Sequence, residues 1–317
     1  MQGRITDKAT GKPVPAALWY VPLEGNKHFA ALPGKDDSLF GGLGHRTEKD
    51  GSYSLLALPG PGIIYVRAEV ENNPYTEAAL DPADRSKAAS TNPEEGLGVT
   101  FLGVGGIDLH LWGHNACRII DPTPDAQSLK CDFFFDRGRT RMGSVLDPEG
   151  KPLTGVRVRG LAALGDAETL AGSSFKAIAL NPAQPRTIFL IHKKRKLMGR
   201  IRLSGDEKEP VTVRLQPCVV LTGRVLDENG KPSPGVLVRV SYRLNTGRGL
   251  VEDAAGDQPI QTDAGGRFRV EGIFPDLKFG LDLRKGSDFF STDEKYQELT
   301  VSAGTKDLGD IIAKRPE

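Results

Sequence analysis

The 317-residue chain is poor in the residues that most often carry chemistry or anchor a protein. It has three cysteines, Cys117, Cys131 and Cys218, an odd number that cannot make a complete disulfide framework. No Cys-x-x-Cys pair occurs, which argues against a zinc ribbon or a thioredoxin-like site. Cys117 and Cys131 flank the turn-rich stretch DPTPDAQS and could face each other across a hairpin; the simpler reading is buried free thiols. An excess of one charge is missing as well. The 42 Lys and Arg against 41 Asp and Glu leave a net charge of +1, so no global field draws nucleic acid or an anionic membrane. Uncharged, mostly apolar stretches such as Gly96 to Ile107, which carries five glycines, fall short of the ~20 residues of a membrane-spanning helix. A soluble chain is expected. The opening MQGRITDKATGKPV is strand and turn chemistry without an apolar signal region; if the protein is exported, its targeting segment is expected outside this chain. A nucleophile elbow, a phosphate loop and a dinucleotide fingerprint are all missing, and the glycines of Gly96–Gly106 lack the required spacing and following helix.

What the chain has in excess is turn formers. Gly (38) and Pro (22) make up about a fifth of it, against a usual ~12%. The 38% of hydrophobic residues suffices for ordinary cores.

Much of the turn chemistry belongs to an internal repeat. GRITDKATGKPVPAA from Gly3, GSVLDPEGKPLTGVRVRG from Gly143 and GRVLDENGKPSPGVLVRV from Gly223 share G-x-[VI]-x-D, a Gly-Lys-Pro turn and then alternating apolar positions. The first half reads as a short strand closed by Asp7, Asp147 or Asp227. Gly11, Gly150 and Gly230 supply the positive φ of the turn, and Lys-Pro restarts an extended chain. Val236, Val238 and Val240 then share one face of a second strand.

A second signature follows in two copies. TEKDGSY from Thr47 and TDAGGRF from Thr262 each read as strand, Asp/Gly turn, strand, with a Pro corner at Pro59 and Pro275. Tyr53 and Phe268 fall at inward positions and are expected to plug the core. The middle copy keeps an aromatic, Phe175, and a Pro corner at Pro182, but has lost the Asp-Gly turn. Each copy ends in a further strand: Lys130 to Asp136, Val211 to Gln216, Asp307 to Ala313. Six or seven short strands per copy without helical periodicity predict an all-β chain of three consecutive β-sandwich modules, 1–137, 138–217 and 218–317. An insertion at about 72–106 in the first module departs from the pattern. Within it, Thr76–Leu80 and Ala83–Ala89 are expected to form short helices, either as a functional loop or as a packing element.

The pattern G-R-V-x-D-x-x-G-K-P-x-x-G-V-x-V with T-D-x-x-G-x-F-x-V-x-G-I-x-P resembles the carboxypeptidase regulatory-like family, a transthyretin-like, carbohydrate-binding-like β-sandwich with immunoglobulin-like character. It is similar also to modules repeated in bacterial cell-surface proteins. The resemblance covers about two-thirds of the chain, most closely Gly223 to Ala313. It implies a seven-stranded sandwich and an extracytoplasmic accessory, adhesion or sugar-binding-like role, at the cell surface or in the periplasm. It carries over no catalytic residue, because the family shares none.

Candidate sites are few. His45-Arg46-Thr47-Glu48 matches the His-x-x-Glu spacing of a zinc site, but it sits at a repeat turn with no third ligand in view. His110 and His114 would chelate one metal if helical; the alternation of Ile107–Trp112 favours a strand, on which they stand ~13 Å apart. Trp19, Tyr20, Trp112, Phe289 and Phe290 are the candidates for a sugar-stacking platform, with core packing as the competing role of Trp112. His192-Lys193-Lys194-Arg195-Lys196 reads as a solvated hairpin tip, not a nucleic-acid patch. Scattered carboxylates are explained by turn chemistry. The expectation is a non-catalytic array without a cofactor, monomeric as an isolated segment, with a protein or glycan partner. A metal-dependent hydrolase built on His45, His110 or His114 is the remaining alternative.

Overall fold

The computed structural model describes residues 1–32, 44–80, 84, 90–92, 98–103, 107–110, 113–163, 165–208, 211–242 and 260–314. The first repeat contributes β1 (Gln2–Asp7), β2 (Ala16–Pro22), β3 (His45–Arg46), β4 (Ser52–Ser54), β5 (Gly62–Ala68), β6 (Ser90–Asn92), β7 (Gly98–Gly103), β8 (Ile107–His110), β9 (Ala116–Ile120) and β10 (Phe133–Phe135). A one-turn helix, α1 (Lys27–Ala30), follows β2 and is capped by Asn26, whose side chain accepts from the N–H groups of His28 and Phe29. The second repeat holds β11 (Arg139–Leu146), β12 (Arg157–Arg159), β13 (Glu168–Thr169), β14 (Ser174–Leu180), β15 (Arg186–His192), β16 (Leu197–Leu203), β17 (Val211–Arg214) and β18 (Gln216–Pro217). The third holds β19 (Val219–Leu226), β20 (Leu237–Ser241), β21 (Ile260–Gln261), β22 (Arg267–Ile273), β23 (Gly280–Lys285), β24 (Asp288–Phe290) and β25 (Gly304–Ile312).

The same two sheets recur three times. A three-stranded sheet runs β10-β1-β4, β14-β11-β17 and β22-β19-β25, with β10, β17 and β25 parallel to β1, β11 and β19, the first strands of their repeats. A facing sheet runs β3-β2-β5-β9, β13-β12-β15-β16-β18 and β21-β20-β23-β24. Inward residues of both sheets meet in one apolar core per repeat. Ile5, Tyr53, Phe133 and Phe135 of one sheet pack on Leu18, Tyr20, Ile64 and Val66 of the other in the first, and equivalent sets centre on Val145 and Val225 in the others. Each fully buried aliphatic or aromatic side chain contributes about 1.5–3 kcal/mol. The chain is therefore all-β, in β-sandwich layers, as the strand pattern predicts.

The repeat motifs have direct structural roles. Gly3 stands opposite Tyr53, Gly143 opposite Phe175 and Gly223 opposite Phe268 across neighbouring antiparallel strands. Each ring lies over its glycine; at Gly143 and Gly223 a Cβ would collide with the ring, standing 2.8 Å from Phe268 Cζ at Gly223, whereas at Gly3 it would collide first with the Cys131 carbonyl. All three rings are buried. The Asp that ends the first strand turns its carboxylate back onto the following loop. Asp7 accepts from the N–H groups of Ala9 and Thr10, Asp147 from Glu149 and Lys151, and Asp227 from Asn229 and Lys231. In the middle repeat the missing Asp-Gly turn is bridged by Ser173, whose carbonyl accepts from Val145 N–H as those of Gly51 and Gly266 accept from Ile5 and Val225.

The insertion differs from expectation. Thr76–Leu80 does not form a helix. Its N–H groups are taken by distant carbonyls, Thr76 by Asp136 and Ala78 by His114, and Ala78 and Leu80 are buried while Ala79 is exposed, a period-two pattern. Of Ala83–Ala89, all but Asp84 lie outside the described residues. β6, β7 and β8 form a small antiparallel sheet of their own, joined to the sandwich by a bridge between Leu23 and Gly103.

Candidate functional site

The aromatic candidates are dispersed. Tyr20 is a core residue, 4% exposed, its hydroxyl donating to the Leu58 carbonyl at 3.3 Å; burial pushes its pKa up to about 12. Trp19, the next residue on β2, points to the opposite face of the same sheet and meets the His114 ring edge-on at 5.5 Å. Phe290 packs against the third core. Phe289 is 62% exposed on β24, with the Arg284 guanidinium 5.3 Å from its ring centre. Trp112 lies outside the described residues. The structure thus brings no two of these rings into one exposed platform among the described residues. Sequence reasoning missed a second exposed aromatic, Phe134, on β10.

The histidines are equally separate in role. His45 is exposed on the two-residue β3, paired with Leu18. His110 lies in β8 opposite Thr100, in a strand. His114 stacks against Tyr65 at 5.0 Å as well as against Trp19. Among the described residues no three His, Cys, Asp or Glu side chains converge to hold a metal ion. The cysteines are free. Cys131 faces the first core, and Cys117 the other side of its sheet.

The basic run is more than a solvated tip. It forms a 3-10 turn, Lys193–Arg195, between β15 and β16. Arg195 donates to Asp147 at 2.9 Å and reaches Glu149, and the Lys196 ammonium pairs with Glu271 of the third repeat.

What the structure assembles instead is a joint. Phe189, Ile191 and Met198, on the outward face of β15 and β16, pack with Cys218, Phe274 and Leu277 in a cluster separate from the cores. The rings of Phe189 and Phe274 meet edge-on at 5.3 Å. Phe274 N–H donates to the Tyr242 hydroxyl, and Arg200 donates to the Asp276 carbonyl at 2.7 Å. Asp276 holds a left-handed φ of 57°, uncommon for a residue with a Cβ. At the start of the second repeat Arg139 pairs with Asp206 of the same repeat, and Gly138 lies against Thr76 of the first, where a Cβ would stand 2.6 Å from the Thr76 Cγ2. Arg186 donates to the carbonyls of Gly160, Leu161, Ile178 and Ala179. Burial raises the Glu77 carboxyl to about 7 against the pull of Arg186, and burial lowers Arg186 to about 10. The sequence carried a signal for the joint in Ile188-Phe189-Leu190-Ile191, an unbroken apolar run of the kind a strand buried on both faces shows.

No family model matches the chain, and no curated protein matches it. Among solved structures it is similar to the Streptococcal ancillary pilin, at 10% identity and a TM-score of 0.28 over 99% of this chain and 98% of that one. It is also similar to the shaft pilin SpaA of Lactobacillus rhamnosus GG, at 10% identity and a TM-score of 0.24 over 56% of this chain and 98% of that one. A third is BcpA, the major pilin subunit of Bacillus cereus, at 9% identity and a TM-score of 0.22 over 100% and 99%. Likenesses at this level transfer no role.

Proposed function

We propose that the chain is a non-catalytic array of three β-sandwich modules, 1–137, 138–217 and 218–317, serving as a structural and interaction region of a larger extracytoplasmic protein. The observation that carries this reading is the joint around Phe274: an apolar cluster outside any core, built by residues of the second and third repeats together. A joint of that kind sets the placement of one unit on the next, which a spacer needs and a lone catalytic domain does not. The strand-closing carboxylates of Asp7, Asp147 and Asp227 are committed to turns. The carboxypeptidase regulatory-like reading is supported by the recurrence of two facing sheets, one of three strands and one of four or five. The surface location rests on that resemblance, and the partner this reading favours is another protein.

Small-angle X-ray scattering of the purified chain tests it. The expected result is one well-defined extended particle whose distance distribution broadens in Phe274→Asp. Scattering of freely jointed beads, unchanged by that substitution, or hydrolytic turnover abolished by a single substitution, would contradict it.

A further inference from the structure

In the larger sheet of each repeat, the strand equivalent to β5 has a different outward face. In β5, Ile64 and Val66 point into the core while Ile63 and Tyr65 point out, and all four are buried. In β15, Ile188 and Leu190 point in while Phe189 and Ile191 point out, again buried. In β23, Leu281 and Leu283 point in, but the outward residues are Asp282 and Arg284, both exposed. Two of the three outward faces are therefore apolar and need a cover, and the third is built for water. The face of the second repeat is covered by Phe274 and Leu277 of the third.

The face of the first is covered differently. Leu80 packs on Ile63, Tyr65, Val21 and Leu23. Gly103 bridges to Leu23 at the end of β2, and His114 lies against Trp19 and Tyr65. Cys117, on the same face, has its thiol pushed up to about 12 by burial, with the Asp84 carboxylate adding to the effect. Leu80, Asp84 and Gly103 belong to the insertion, and His114 lies on the chain that leads from it into β9. The insertion is tied to that chain: Ala78 N–H donates to the His114 carbonyl at 2.8 Å.

We infer that the insertion of the first module is, through Leu80, Asp84 and Gly103, a built-in cap over the sheet face that in the second module receives the neighbouring module. Module-to-module docking through this face then happens once in the chain, between second and third. The third module closes the series with a polar face, as the terminal unit of a stacked array requires. The inference rests on the three-module reading.

Thiol alkylation of the native full chain, followed residue by residue by mass spectrometry, tests it through Cys117, with Cys131 and Cys218 as internal references in other clusters. Leu80→Asp, and separately replacement of 81–112 by a short Gly/Ser bridge, are expected to speed Cys117 labelling roughly tenfold or more while the other two cysteines keep their rates. An unchanged Cys117 rate would overturn the inference. So would a joint rise of all three in both variants, because the insertion would then be part of the fold's foundation and not a cap. Either failure would leave the Phe274 joint, and the array reading built on it, standing.

Discussion

Gly223 stands directly across the strand pair from Phe268, and the ring closes over the space a side chain would fill. The same pairing recurs at Gly3 with Tyr53 and at Gly143 with Phe175. The glycine that opens each repeat and the aromatic some 30 to 50 residues later are thus two halves of one packing unit, an aromatic covering a strand glycine.

Gly223→Ala and Gly143→Ala force that ring out of place. Each is expected to lower stability by about 1–3 kcal/mol, read as a lower midpoint in urea with an unchanged slope. Gly172→Ala is the control, since a Cβ there meets nothing within 4 Å; its effect is expected within about 0.5 kcal/mol.

Asp7 is buried, and burial works against its charge. The Arg137 guanidinium, the N–H groups of Thr10 and Ala9 and the Tyr75 hydroxyl outweigh that and hold its pKa at about 2. A carboxyl depressed on folding stabilises the native state above its ordinary value and loses that contribution as pH falls through the folded value. Thermal unfolding between about pH 4 and about pH 2 should therefore be steeper in pH for the natural chain than for Asp7→Asn. The variant should be less stable at pH 7 by about 1–3 kcal/mol.

Glu77 has the opposite sign. Its carboxyl is raised from 4.5 to about 7 by burial, so the folded state holds an extra proton between those values. The contribution is fully present below about pH 4.5 and lost as pH rises through about 7, on the order of 2 kcal/mol. Glu77→Gln is expected to flatten that slope and to raise the melting temperature at pH 8 relative to the natural chain. An unchanged pH profile would show that the carboxyl is not buried at the junction of the first two repeats.

The Gly-Lys-Pro turns were legible in the sequence because they depend on neighbours a few residues away, and the aromatic plugs because they fall on inward positions of a period-two strand; the glycines they cover, some 30 to 50 residues back, were not. Thr76–Leu80 was not, because its backbone partners, Asp136 and His114, lie 60 and 36 residues further along the chain; helix propensity is a weak prior against such tertiary bonds. The roles of Arg195 and Lys196 were hidden in the same way, since Asp147 follows β11 and Glu271 belongs to β22, both far along the chain. The doubly buried strands left a readable trace in the contrast between Ile63-Ile64-Tyr65-Val66 and Leu281-Asp282-Leu283-Arg284. Reading it requires the repeats to be aligned first.

Native-state hydrogen exchange on the full chain and on Phe274→Ala measures the coupling of the second and third repeats most directly. Phe274 is wholly buried in the joint, and removing such a ring costs about 3–5 kcal/mol. The account predicts that amides of β15 and β16 lose protection together with those of β22, although the substitution lies in the third repeat. Loss confined to β22, with β15 and β16 protected as before, would contradict it and leave the units as independent beads.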